Sequence, residues 1–317
     1  MINYKIKVKG LKSRPGTISL TALKTIIDVV LDGSSKVLRL ASEGESTKKG
    51  RAPTWLSKCT EFTVTGIYEG STTVEIEAPT LQEALPEEIQ KKDEWYTVPN
   101  PQDTAISLLA RSVKDTISEQ LESENYDIGV LNAILSADPL ISDYATEIEL
   151  VSEERTEDNF RLGSLELEKI RNLKKNSPEP KAIIVSGLLN TIEHSTKRFK
   201  LLLKDGEVIQ GTIDPSNITD EDMRNFWGKH VTIKGTMHFK FSGRPRLIEA
   251  EMIKISEIGE EIFETIPHQI SLPEVLEDIK KTQNREQLLN TIWGQWPGDE
   301  SIEDILSALK HRSGENR

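Results

Sequence analysis

The 317-residue chain carries 36% hydrophobic and 29% charged residues and a net charge of −12, the composition of a folded protein with room for two or three cores. Its acidic balance disfavours tight nonspecific nucleic-acid binding, which needs a concentrated positive surface. No apolar run approaches the roughly 20 residues that cross a bilayer; MINYKIKVKG has no signal core and the single Cys59 excludes an internal disulfide, so the expected compartment is a reducing cytoplasm.

Tyr4, Ile6 and Val8 alternate with polar residues, the period of a half-buried strand. Past the turn at Arg14-Pro15-Gly16, the spacing of Leu20, Leu23, Ile26, Ile27, Val30 and Leu31 predicts a helix that breaks near Gly33 and resumes through Val37 and Leu40. Thr, Val and Ile in 62–67 and 73–78, joined by Glu69-Gly70-Ser71, predict a hairpin. After a loop rich in Glu and Pro, Asp103 is placed to cap a helix whose apolar face is Ile106, Leu109, Val113, Ile117 and Leu121. A shorter helix at 127–135, strands at 146–151 and 159–162 and a helix at 164–173 complete an α+β domain over 1–176.

The Ser-Pro-Glu-Pro spacer within LKKNSPEPKA neither continues a helix nor pairs in a sheet, so a new domain starts at 177. Residues 177–256 supply five strand-like runs, with hairpin turns at Lys204-Asp205-Gly206 and Phe241-Ser242-Gly243-Arg244. A helix at 218–227 falls between the third and fourth runs, the element order of an OB-like five-stranded small β-barrel, and Gly187, Gly211 and Gly235 sit where such a barrel needs tight bends. Residues 257–317 read as an acidic helical tail, with a short helix over 273–280, the stretch 285–292 and then WGQWPGDESIEDILSALK. Net charge divides along these lines: −8 over 1–180, +3 over 181–256 and −7 over 257–317.

Motifs of catalysis are missing from the sequence. His194, His230, His238, His268 and His311 lack HExxH spacing, one cysteine cannot build a structural zinc site, and there is no phosphate-cradling glycine loop or GxSxG elbow. No catalytic residue, cofactor or metal is therefore expected; His238 reads as an outward or satisfied sheet residue, and Cys59 as a plain thiol. In the basic middle segment, Lys197, Arg198 and Lys200 with Lys234, Lys240, Arg244 and Arg246 are spaced to track a nucleic-acid backbone while Phe199 and Phe239 stack on bases. The competing reading puts both rings in the barrel core and the cations on its solvent side.

In the tail, Ser301 and Asp304 resemble a capping box, and Ile302, Ile305, Leu306 and Leu309 fall on one face of a helix too short to stand alone in water. Trp293 and Trp296 precede it, joined to it by the Pro297-Gly298 turn, so an aromatic anchor and a helical anchor can grip neighbouring pockets. The same residues would also serve a tail folded back on its own domains.

The ending from Trp296 to Leu309, W-P-G-D-E-S-I-E-D-I-L-S-A-L, resembles the C-terminal signature of bacterial antitoxins encoded beside PIN-domain ribonuclease toxins. VSGLLNTIEHSTKRFKLLLKDGEVIQGTI and GKHVTIKGTMHFKFSGRPRLIEAEMI resemble a small-barrel domain of bacterial proteins from that neighbourhood. The resemblance implies a regulatory subunit, not an enzyme, whose acidic tail binds and neutralises a PIN-domain nuclease at its basic cleft.

Overall fold

The computed structural model describes residues 1–12, 17–47, 53–68, 72–87, 89, 91, 95–193, 196–213 and 218–266. The alternating N-terminal residues become β1 (Ile2–Lys9), the central strand of a five-stranded sheet. With β2 (Thr63–Tyr68), β3 (Thr72–Ala78), β4 (Glu147–Val151) and β5 (Phe160–Gly163), the order is β2-β3-β1-β4-β5, antiparallel throughout. Period two sorts the side chains. Tyr4, Ile6 and Val8 are buried, whereas Lys5 and Lys9 meet Glu75 and Glu147 across the strands at 3.6 and 3.2 Å on the other face.

The apolar face is covered by α1 (Leu20–Glu43), α4 (Ala105–Ile117), α5 (Ile128–Leu135) and α6 (Ser164–Lys175), in a core joining Ile6, Ile26, Val30, Leu109, Ile134 and Ile170. Two short helices that the periodicity did not reveal, α2 (Thr54–Cys59) and α3 (Leu81–Ala84), lie in the connections. The expected break at Gly33 does not occur: α1 is continuous, and a Cβ at Gly33 would lie 2.9 Å from Leu109 Cδ1. The glycine serves close approach to α4 and does not end a helix.

A second correction concerns Asp103. Thr104 is the N-cap of α4, its hydroxyl accepting from Ser107 N–H at 3.0 Å while Ser107 Oγ accepts from Thr104 N–H at 3.1 Å. Asp103, 1% exposed, instead pairs with Arg155 at 2.8 Å and Arg111 at 3.0 Å. Arg155 also reaches Asp158 at 3.2 Å, and the Tyr4 hydroxyl donates to that carboxylate at 2.9 Å. Two buried carboxylates thus share one guanidinium and fasten β1, α4 and the turn after β4 together; burial pushes the Tyr4 phenol upward.

Beyond the Pro-rich spacer, β6 (Lys181–Glu193), β7 (Arg198–Leu202), β8 (Val208–Ile213), β9 (His230–Phe239) and β10 (Pro245–Ile255) close into a barrel of order β10-β8-β7-β6-β9. Every pairing is antiparallel except β8 with β10. Between β8 and β9, α7 (Asp220–Phe226) begins at Thr219, whose hydroxyl accepts from Asp222 N–H at 3.2 Å, and Met223 enters the barrel core. That core also holds Val185, Leu189, Phe199, Leu201, Ile233, Met237 and Ile248. Two of the in-strand glycines are steric requirements: a Cβ at Gly211 would stand 2.0 Å from Phe199 Cζ, and one at Gly235 2.1 Å from the Glu249 carbonyl oxygen.

The described residues form one compact unit with two cores. Among the described residues no helix is long and apolar enough to cross a membrane. Trp293, Trp296, Ile302, Ile305, Leu306 and Leu309, the predicted helix at 273–280, and His194, His268 and His311 lie outside the described residues.

A candidate cation-binding cleft between the sheet domain and the barrel

The β9–β10 hairpin is where the barrel meets the N-terminal domain. Phe241, at its tip, stacks obliquely on Tyr126 with ring centroids 4.9 Å apart, and Ser242 N–H donates to the Leu121 carbonyl at 3.2 Å. Beside this seam lies a cleft of about 810 Å³, lined from the N-terminal domain by Glu45, Thr47 and Asp127 and from the barrel by His238, Arg246 and Glu249.

Glu45 reaches the cleft because α1 stops one residue earlier. Gly44 adopts φ 84°, a left-handed cap that glycine takes without strain, and its N–H donates to the Leu40 carbonyl at 2.8 Å. The following loop is fastened by Asp127, which accepts from Ser46 N–H at 2.8 Å and from Ser46 Oγ at 2.5 Å. The same carboxylate caps α5 through Val130 N–H at 2.9 Å. Gly129 makes the approach possible, since a Cβ there would lie 2.1 Å from Ser46 Oγ. The direction of Glu45 is thereby fixed by two glycines and a doubly used aspartate.

On the barrel, His238 pairs in register with Leu247, so Glu249 is its diagonal neighbour on the same outward face. Nε2 of His238 lies 3.0 Å from Glu45 Oε1 and 3.7 Å from Glu249 Oε2, and one ligand atom from each of the three residues falls within 4.8 Å of the others. Burial opposes a charge on the imidazole, but the carboxylates of Glu249 and Glu45 outweigh it and hold the pKa up at about 9. His238 Nε2 and Glu45 Oε1 are sealed from solvent, yet they are out of line for a hydrogen bond with each other.

Arg246 is the second unusual group in the cleft. Its side chain is 7% exposed, and Nη1 donates to the Tyr126 carbonyl at 3.2 Å while the Tyr96 hydroxyl donates to the Arg246 carbonyl at 2.9 Å. Among the described residues its buried Nε and Nη2 have no hydrogen-bond acceptor. A guanidinium with vacant, enclosed donors is a ready seat for an anionic group.

The other residues predicted to touch nucleic acid are dispersed. Phe199 is 1% exposed inside the barrel, as the competing reading held, and its ring has no face to offer a base. Arg198 donates to the Ser42 carbonyl, Arg244 pairs with Glu122 at 3.4 Å, and Lys240 pairs with Glu124 at 3.0 Å. Lys197 sits at φ 56° in the β6–β7 turn, and Lys200 points to solvent from β7. The cations do not form one outward track. Sequence reasoning singled out His238 without partners: its nearness to Glu249 depends on a register shift between Pro245 and Leu247 that the sequence did not reveal, and nothing in the sequence links either residue to Glu45. Compared with known proteins, the chain matches no family model and no curated sequence.

Proposed function

We propose that the chain is a cytoplasmic bacterial regulatory protein of the antitoxin kind, whose acidic C-terminal segment binds and neutralises a PIN-domain nuclease. The observation that carries this reading is the commitment of the barrel's cations. Arg198, Lys240, Arg244 and Arg246 contact the N-terminal domain, so these four serve the fold, while Lys200, Lys229 and Lys234 stay exposed. What remains for a partner is the segment with net charge −7 that holds Trp293, Trp296, Ile302, Ile305, Leu306 and Leu309. Its mix of carboxylates, indoles and aliphatic residues at helical spacing suits a basic cleft flanked by an apolar groove, and inhibition would be steric and electrostatic.

The barrel's strand order, its parallel β8–β10 pair and the placement of α7 between the third and fourth strands support an OB-like assignment. In that assignment the usual ligand loops are those around 194–197 and 240–244, and the second is packed on the N-terminal domain through Phe241 and Ser242. The barrel therefore acts as a scaffold for the tail.

The test is to look for a PIN-type nuclease gene beside that of the chain and to co-express its product with the chain. The full chain should abolish its ribonuclease activity, and a chain ending at residue 290 should lose at least about 100-fold in affinity, as removal of several hot-spot side chains predicts. Equal inhibition by the two chains, or a gene with no such neighbour, would overturn the proposal. Salt-dependent oligonucleotide binding lost on neutralising Lys197 and Lys200 would favour nucleic acid instead.

A further inference from the structure

We infer that Glu45, His238 and Glu249 form a binding site for a divalent transition-metal ion of the zinc type, which ties the N-terminal domain to the barrel. The ligand set is one imidazole and two carboxylates, donors that such ions accept in open, partly solvated sites. Ligand atoms about 2.0–2.2 Å from one ion stand roughly 3–3.5 Å from each other. The His238 Nε2 to Glu45 Oε1 distance of 3.0 Å and the Nε2 to Glu249 Oε2 distance of 3.7 Å are close to that spacing.

Nε2 and Oε1 are buried and out of line for a hydrogen bond with each other, and one donor atom from each of the three residues lies within 4.8 Å of the others, near enough to share one ion once the imidazole gives up its proton. The second observation comes from the guanidinium of Arg246, 7% exposed and lining the same cleft with Nε and Nη2 lacking acceptors. An ion held by three protein ligands has further positions for water or an anion, and a buried arginine lining the same cleft favours the anion.

The support around the ligands is also that of a built site. Glu45 is aimed by the left-handed Gly44 and by the Ser46–Asp127 hydrogen bonds; His238 and Glu249 are aimed by strand register. Two ligands come from the barrel and one from the loop after α1, so the ion joins elements nearly 200 residues apart in sequence, as Glu45 and His238 show. Binding to the folded state alone stabilises it in proportion to the logarithm of free metal.

Zinc binding to the full chain, measured by competition with a chromophoric chelator, tests the inference. One equivalent should bind, the melting temperature should rise on adding zinc and fall back with EDTA, and cobalt substitution should give visible absorption of a low-symmetry nitrogen–oxygen site. His238→Gln and Glu45→Gln should each weaken binding at least about tenfold, while His230→Gln, altering an exposed histidine at the far end of β9, should leave it unchanged. Circular dichroism of each metal-free variant separates lost ligation from lost folding. No bound zinc at 100-fold excess over the chelator, or binding that survives in the Glu45→Gln, His238→Gln double variant, would overturn the site.

Discussion

At the residue scale, the sharpest constraint is Gly235. Its missing side chain lets β9 pass 2.1 Å, in Cβ terms, from the Glu249 carbonyl, and backbone cannot yield as a flexible side chain can. Gly235→Ala is expected to destabilise the protein by about 2–3 kcal/mol, the range of overpacked cores, and to weaken zinc binding by displacing Glu249; urea denaturation and the chelator assay read the two effects. Glu260 gives a prediction in pH. Its carboxylate accepts from Thr232 Oγ1 at 2.6 Å and pairs with Lys254 at 2.6 Å, and hydrogen bonds from Lys254, then Thr232, hold its pKa down to about 2 against an ordinary 4.5. A depressed carboxylate contributes stability in full above its unfolded pKa and loses it as pH falls through the folded one. Glu260→Gln should therefore melt below the parent at pH 7, with the difference shrinking between pH 4.5 and 2; a difference that grows on acidification would refute the assignment. Neither feature was readable beforehand: an in-strand glycine signals a close approach without naming the atom approached, and Glu260 lay in what read as a featureless acidic tail.

At the element scale, α5 links stability to the cleft, because Asp127 caps the helix and pins the loop that carries Glu45. Asp127→Ala is expected to cost about 2 kcal/mol, the upper range for an N-cap, since Ser46 also loses its acceptor; a thermal melt checks the cost, and reduced zinc affinity would accompany it. Periodicity located β1, β4, β5, α1, α4, α5 and α6 to within a few residues, because each buries a stripe whose spacing is set by the backbone alone. It failed at Gly33, read as a break although the helix runs on to Glu43, and at Asp103, read as a cap although Thr104 holds that place. In both cases a residue with a local meaning had been recruited by a distant partner, Leu109 in one and Arg155 in the other. The helices α2 and α3 were missed because six and four residues are too few to show a period.

At the scale of the whole molecule, the two cores of Met1–Ser271 meet through the β9–β10 tip. Phe241, a residue of the β9–β10 turn, packs its ring into the core of the N-terminal domain. Phe241→Ala should destabilise by about 3–4 kcal/mol, as deletion of a buried ring does, and should separate the unfolding of barrel and sheet domain when fluorescence and circular dichroism are compared; a single transition of unchanged midpoint would show the contact to be idle. The sequence by itself determined the order of the strands and of the longer helices, the spacer near 177 and the division of charge, all of which follow from local periodicity, proline chemistry and composition. Only the tertiary structure decided that Arg198 and Arg246 of the barrel bond carbonyls of the N-terminal domain, that Phe199 is core, and that Glu45 meets His238 and Glu249. Those are distances between residues far apart in the chain, and no local pattern encodes them.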